Sequence, residues 1–147
     1  IGGDIPQIET GRNMAMYRAL TAAMSQGLVA SAHDCSDGGL AAALAECCFG
    51  ADSGATIDIA GLESDCSHLD EWGELFGESL GRILVSIAAN QEEAFLKAMA
   101  GNSCTLLGAV GEGDDITINY RETEVLQASM DALRTAWQGT LDGGANQ

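Results

Sequence analysis

Cationic side chains are what this chain has least of. Lysine occurs once, at Lys97, and lysine plus arginine total 6 against 22 acids, for a formal net charge of −16. A surface of that sign argues against nucleic acid and anionic membrane as partners. A phosphate ligand stays open, because it needs only local positive potential. Aromatic residues are scarce at 5% and proline occurs once, at Pro6. Such a composition suits close-packed α/β layers better than an aromatic-rich β-sandwich. No apolar run approaches the ~20 residues of a membrane span. The five cysteines, Cys35, Cys47, Cys48, Cys66 and Cys104, contain no CxxC pair. They miss zinc-site spacing and read as reduced, buried small hydrophobes of a cytoplasmic protein. The opening Ile1-Gly2-Gly3-Asp4 does not read as a secretory signal. A chain that opens on Ile rather than Met is expected to be a piece of a longer polypeptide.

What remains is a chain of 147 residues, 46% hydrophobic, enough for a real core. A single domain over 1–147 is expected, with an extended opening segment over 1–11 and a frayed tail over 142–147. Periodicity predicts helices over 12–27, 38–49, 65–76 and 91–100, and a last helix capped by Ser129. The expected inward stripes are Tyr17, Leu20 and Met24; then Cys66, Leu69, Trp72, Leu75 and Phe76; then Phe95, Leu96 and Met99; and finally Met130, Leu133 and Trp137. Strands are expected over 28–33, 56–59, 83–87 and 104–110, with a hairpin over 116–120 and 125–127. No internal repeat is present. Helices and strands alternate irregularly, which points to an α/β (α+β) fold with a mixed β-sheet flanked by helices.

The most informative stretch is Ala32-His33-Asp34-Cys35-Ser36-Asp37-Gly38-Gly39-Leu40. It sits where a strand hands over to a helix. Ser36 or Asp37 can cap that helix, and two glycines let a ligand approach the backbone. A helix N-terminus offers free N–H groups to an anion. The neighbouring carboxylates repel that anion unless a hard cation such as Mg²⁺ bridges the two. One reading therefore gives Asp34 or Asp37 a metal or a ligand hydroxyl, and gives Ser36, Gly38 and Gly39 a phosphate. The other makes Asp37 an N-cap and Asp34 a turn acid. His33 by itself is more often a structural hydrogen-bonder than a catalyst.

A second turn, Gly77-Glu78-Ser79-Leu80-Gly81-Arg82, gathers a carboxylate, a hydroxyl and a guanidinium. Arg82, a rare cation here, either binds a phosphate through its fork or pairs with Glu74 or Glu78. The segment also matches G-x-S-x-G literally. A nucleophile elbow needs strand, serine, then helix, and the order here is reversed. Gly108-Ala109-Val110-Gly111-Glu112-Gly113 lacks the third glycine spacing of a dinucleotide loop.

The segment from His33 to Glu46 resembles the "HD-x-SDGGL-x-x-ALAE" stretch of the phosphoribosylformylglycinamidine synthase family, in the C-terminal domain of the large subunit. Phe76 to Ser86 resembles the family's "FGES-x-x-R" turn and strand, with Leu80 where the family has Gln. Leu133 to Leu141 resembles its closing "L-x-x-AW-x-GTL". The family belongs to the aminoimidazole ribonucleotide synthetase-like superfamily. The resemblance implies that superfamily's C-terminal α/β domain, and the second of two such domains in its subunit. It implies ATP and Mg²⁺ as cofactors in an amidoligase step of purine biosynthesis, with no activity in the isolated domain. That step converts formylglycinamide ribonucleotide to the amidine. The implied partners are the N-terminal domains of the same subunit, a glutaminase subunit, a small accessory subunit and the ribonucleotide. By position the resemblance implies Asp34 as the metal acid. Ser36, Asp37, Gly38, Gly39, Gly77, Glu78, Ser79 and Arg82 are the implied nucleotide and substrate residues, and no catalytic residue falls in this domain. Its rivals are C-domains of selenophosphate synthetase, thiamine-phosphate kinase or hydrogenase-maturation type. A non-catalytic interaction module is the rival from another class.

Overall fold

The structure is a computed structural model that describes residues 8–51, 53–62, 70–111 and 113–139. The expected tail over 142–147 lies outside them. So do 1–7 of the expected opening segment, and Cys66 and Leu69 of the helix expected over 65–76. Along the chain the order is α1 (Thr10–Ser25), β1 (Ser31–Asp34), α2 (Gly39–Ala51), β2 (Gly54–Asp58), α3 (Glu71–Phe76), β3 (Ile83–Ser86), a 3-10 turn (Ala89–Gln91), α4 (Glu92–Ala98), β4 (Gly108–Gly111), β5 (Asp115–Tyr120), β6 (Thr123–Ser129) and α5 (Met130–Gly139). The chain divides into two compact units, with the boundaries inside α2 after Ala43, after Leu62, and after Thr105.

The first unit contains a two-stranded antiparallel ribbon of β1 and β3. Its register pairs Ser31 with Ser86, His33 with Leu84 and Asp34 with Ile83. The Ser31 and Ser86 hydroxyls meet across it at 2.6 Å. Two strands alone are marginal in water. This ribbon is backed by a core of Leu20, Ala23, Phe95 and Met99 from α1 and α4, against which Ile83, Val85 and Ile87 pack. The same cluster corrects two expected stripes. On α1 the covered face is Met16, Ala19, Leu20 and Ala23, while Tyr17 and Met24 are 38% and 42% exposed. Phe95 of α4 and Met99 just past its end are buried, but Leu96 is exposed. Apolar residues of α1 are scattered round its axis among Arg12, Asn13, Arg18 and Thr21, so spacing could not single out one face. Of the stripe expected on α3 Leu75 is buried, while Trp72 and Phe76 stack on each other at the surface, 6.2 Å between ring centroids. α1 also begins at Thr10, two residues earlier than its periodicity suggested, and stops before Gly27 at φ +71°.

The second unit carries a four-stranded sheet in the order β4-β2-β5-β6. β2 and β5 are parallel and the other two pairs are antiparallel. This is the mixed sheet that the pattern predicted, within an α+β fold. Alternation buries Ala55 and Ile57 on β2 and Ile116 and Ile118 on β5. β4 is shorter than expected, because 104–107 form no strand, and Cys104 is exposed rather than buried. Ser129 caps α5 by accepting from the Ala132 N–H at 3.3 Å. Met130 is buried, whereas Trp137 is exposed and lies against the Phe49 ring at 5.9 Å. Among the described residues no helix is long and apolar enough to cross a membrane.

Phe95→Ala is expected to cost about 3–5 kcal/mol in urea unfolding, because it empties the α1–α4 core. Leu96→Ala, one residue away, is expected to cost less than about 1 kcal/mol. Equal losses would contradict the assignment of the buried face.

Candidate functional site

The antiparallel ribbon decides where the two informative loops emerge. β1 ends at Asp34 and β3 begins at Ile83, its register partner. The first loop therefore leaves the ribbon where the second arrives. The Cys35 N–H donates to the Arg82 carbonyl at 3.1 Å and extends the ladder by one bond. Beyond it the chain turns through Gly38 and Gly39, both left-handed at φ +79° and +65°. Gly39 cannot carry a side chain. A Cβ there would lie 2.8 Å from the Leu75 carbonyl and 2.9 Å from that of Gly77. The backbones of the two loops thus touch directly. A second tie joins them, since the Gly38 N–H donates to Oε1 of Glu78 at 3.1 Å.

A cleft of about 550 Å³ opens beside this junction, lined by Tyr17, Asp34, Ser36, Asp37, Glu78 and Arg82, with Cys35, Leu80, Gly81 and Ile83 completing it. Of the expected site residues, Gly38, Gly39, Gly77 and Ser79 do not line it. Gly77 lies against the Gly73 carbonyl, where a side chain would collide. Asp34 is exposed and accepts the Ser36 hydroxyl. That bond holds the Asp34 carboxyl below the usual carboxylate range, helped by its own backbone N–H and by His33. The His33 ring Nδ1 sits 2.7 Å from the Asp34 carbonyl oxygen. Arg82 takes the second of the two readings open to it. Its Nη2 lies 2.7 Å from Oε2 of Glu74, and its Nη1 donates to the Glu74 carbonyl at 3.1 Å. The guanidinium is thereby committed to an internal carboxylate, although it borders the cleft.

Tyr17 was invisible as a site residue, because its helical spacing with Leu20 and Met24 reads as core. The structural signal is Asn13, whose side-chain amide abuts Gly81, where a Cβ would lie 2.8 Å from Nδ2. One turn further on, Tyr17 lies on the same face of α1 and meets the cleft.

Among the described residues no group of three or more His, Cys, Asp or Glu is arranged to hold a metal ion. Mg²⁺ bound together with phosphates takes only one or two protein carboxylates. Asp34, exposed and held ionised, meets that lesser requirement.

The family described as "AIR synthase related protein, C-terminal domain" matches residues 6–121. Solved structures of Thermotoga maritima PurL have the same fold. The structure of that protein complexed with FGAR matches with a TM-score of 0.79 at 20% identity, over 88% of this chain and 22% of that one. The structure complexed with ATP matches with a TM-score of 0.75 at 21% identity, over 81% and 21%. The Thermotoga maritima PurLQS structure matches with a TM-score of 0.75 at 20% identity, over 82% and 21%. The chain therefore spans about a fifth of the length of these solved chains.

Gly39→Ala is expected to lose about 3 kcal/mol or more, from the left-handed backbone together with the collision on 75–77. Gly27→Ala has the same sign of φ and open space around it, and is expected to cost about 1 kcal/mol. Urea midpoints of the two variants separate these effects. Ser36→Ala is expected to raise the Asp34 pKa toward its ordinary value in an NMR titration. A lowered folded pKa stabilises at neutral pH, and that contribution fades as pH falls through the lowered value. The Ser36→Ala variant is thus expected to lose it.

Proposed function

The chain belongs to the AIR synthase related protein family as its C-terminal domain, and on that premise we propose that it forms one wall of the site of an ATP-dependent synthase. The reaction is amidation of formylglycinamide ribonucleotide to the amidine in purine biosynthesis, carried out in the cytoplasm by the full-length protein. The domain alone is inactive. The observation that carries this reading is the convergence of residues 34–37 of the first loop and the turn from Glu78 to Arg82 on one cleft. Further support comes from three stretches that resemble the synthase family in the same order along the chain.

In this reading the domain positions ligands and breaks no bond itself. Asp34 and Asp37 present carboxylates at the rim, where Asp34 is ready to hold Mg²⁺ beside a phosphate. Mg²⁺, when bound, neutralises phosphate oxygens that the acids would otherwise repel. Ser36 orients the Asp34 carboxylate through its hydroxyl. Gly38 and Gly39 keep the backbone close to the opposite turn. Tyr17 and Leu80 supply an apolar wall to an otherwise acidic cleft. Arg82 shapes the turn. The N-terminal domains of the same subunit provide the rest of the site, and a glutaminase subunit supplies ammonia with the help of a small accessory subunit.

A non-catalytic role has one observation in its favour, since Arg82 and the Gly38 N–H both already have internal partners. Activity decides between the two readings. Asp34→Asn in the intact subunit is expected to lower amidine formation roughly a hundredfold or more, by weakening metal-assisted phosphate binding. It is also expected to abolish purine-independent growth in a complementation strain. Wild-type growth and turnover in that variant would refute the assignment of Asp34.

A further inference from the structure

Glu74 has no counterpart among the residues expected to meet a ligand, and it is the one charged residue buried among those described, at 6% exposure. It sits in α3, whose N-cap Asp70 accepts from Gly73 N–H at 2.8 Å. Its carboxylate takes one guanidinium nitrogen of Arg82, and its backbone carbonyl takes another. A single residue thus closes both ends of the 74–82 segment. The carbonyl belongs to the last turn of α3, where backbone acceptors have no helical partner and a cation is favoured. Inside the closed segment lies Glu78, whose carboxylate reaches the Gly38 N–H. Arg82 adds a further link through its own carbonyl, which accepts from Cys35.

We propose that Glu74 is the positioning residue of the cleft. By fixing Arg82 it sets the path of the 77–81 turn, and so places the Glu78 carboxylate on the N-terminus of α2. The assignment rests on the cleft being the functional site, but not on which ligand enters it. It explains why a cation so rare in this chain is used inside the fold. An unpaired guanidinium in the cleft would bend toward Asp34, Asp37 or Glu78, and would pull the turn out of register with the glycine pair. Glu74 removes that competition by geometry, because its carboxylate and its backbone carbonyl hold two guanidinium nitrogens at once.

The test uses the 147-residue chain and the Gly38 amide, which does not touch Glu74. Glu78→Gln weakens the bond to the Gly38 N–H directly. It is expected to speed Gly38 hydrogen exchange by about tenfold and to move its amide proton upfield. Glu74→Gln is expected to produce the same two changes from a distance. The double variant is expected to add nothing to Glu78→Gln alone, because both act through one bond. The amide of Met99, in the core of the same unit and bonded to the Phe95 carbonyl, serves as the control for unfolding of that unit. Where Glu74→Gln does not fold, Arg82→Lys replaces it. It keeps the charge but cannot make both bonds, so a smaller change of the same sign is expected. The inference is overturned if Gly38 in Glu74→Gln or Arg82→Lys behaves as in wild type while Glu78→Gln moves it, or if the double variant adds the two effects. These readouts need no ligand, so they stand apart from any failure of the synthase reading, which amidine formation reports.

Discussion

The site depends on a contact between two stretches of backbone. Gly39 lies against the carbonyls of Leu75 and Gly77 with no room for a single methyl group. Everything on the cleft wall is placed relative to that contact. It brings the N-terminus of α2 within reach of the Glu78 carboxylate. It also leaves Asp34, Ser36 and Asp37, all exposed, lining one cleft with the second turn. The ribbon of β1 and β3 sets the distance over which this happens, because Asp34 and Ile83 are register partners. The α1–α4 core behind Ile83, Val85 and Ile87 keeps the ribbon from fraying.

Charge is distributed against this frame with unusual economy. With 22 acids and 6 Lys+Arg, this chain has few cations to spend on ligands. Arg82 is spent on Glu74. The cleft that results is rich in hydrogen-bond acceptors, and in the proposed reading a phosphate enters it accompanied by a divalent cation rather than held by a guanidinium.

Parts of this were legible in the residues. The His33-to-Leu40 junction announced itself because consecutive glycines after an acid and a serine have few uses other than a left-handed turn into a helix. The mixed α+β pattern followed from alternation in 56–59 and 116–120 and from helical spacing elsewhere. The covered face of α1 was not legible. Met14, Met16, Tyr17, Ala19, Leu20, Ala23 and Met24 encircle the helix, so burial depends on which side α4 occupies. Arg82 could equally have taken Glu74 or Glu78, since both lie within its reach in sequence. Helix formation by 71–76 settled the choice, by putting the Glu74 carbonyl and carboxylate on the side of the returning chain. The division of strands between a ribbon and a four-stranded sheet arises from pairings such as Thr56 with Ala109, and no local pattern encodes them.

The central claim is that the loop after β1 and the turn before β3 act as one binding wall. The most direct measurement is amide chemical-shift mapping of the intact subunit on addition of Mg-AMPPCP and then formylglycinamide ribonucleotide. The account predicts that Ser36, Gly38, Glu78 and Tyr17 respond together and saturate at one ligand concentration. Shifts confined to one of the two loops, or saturable binding that leaves all four residues unmoved, would contradict it.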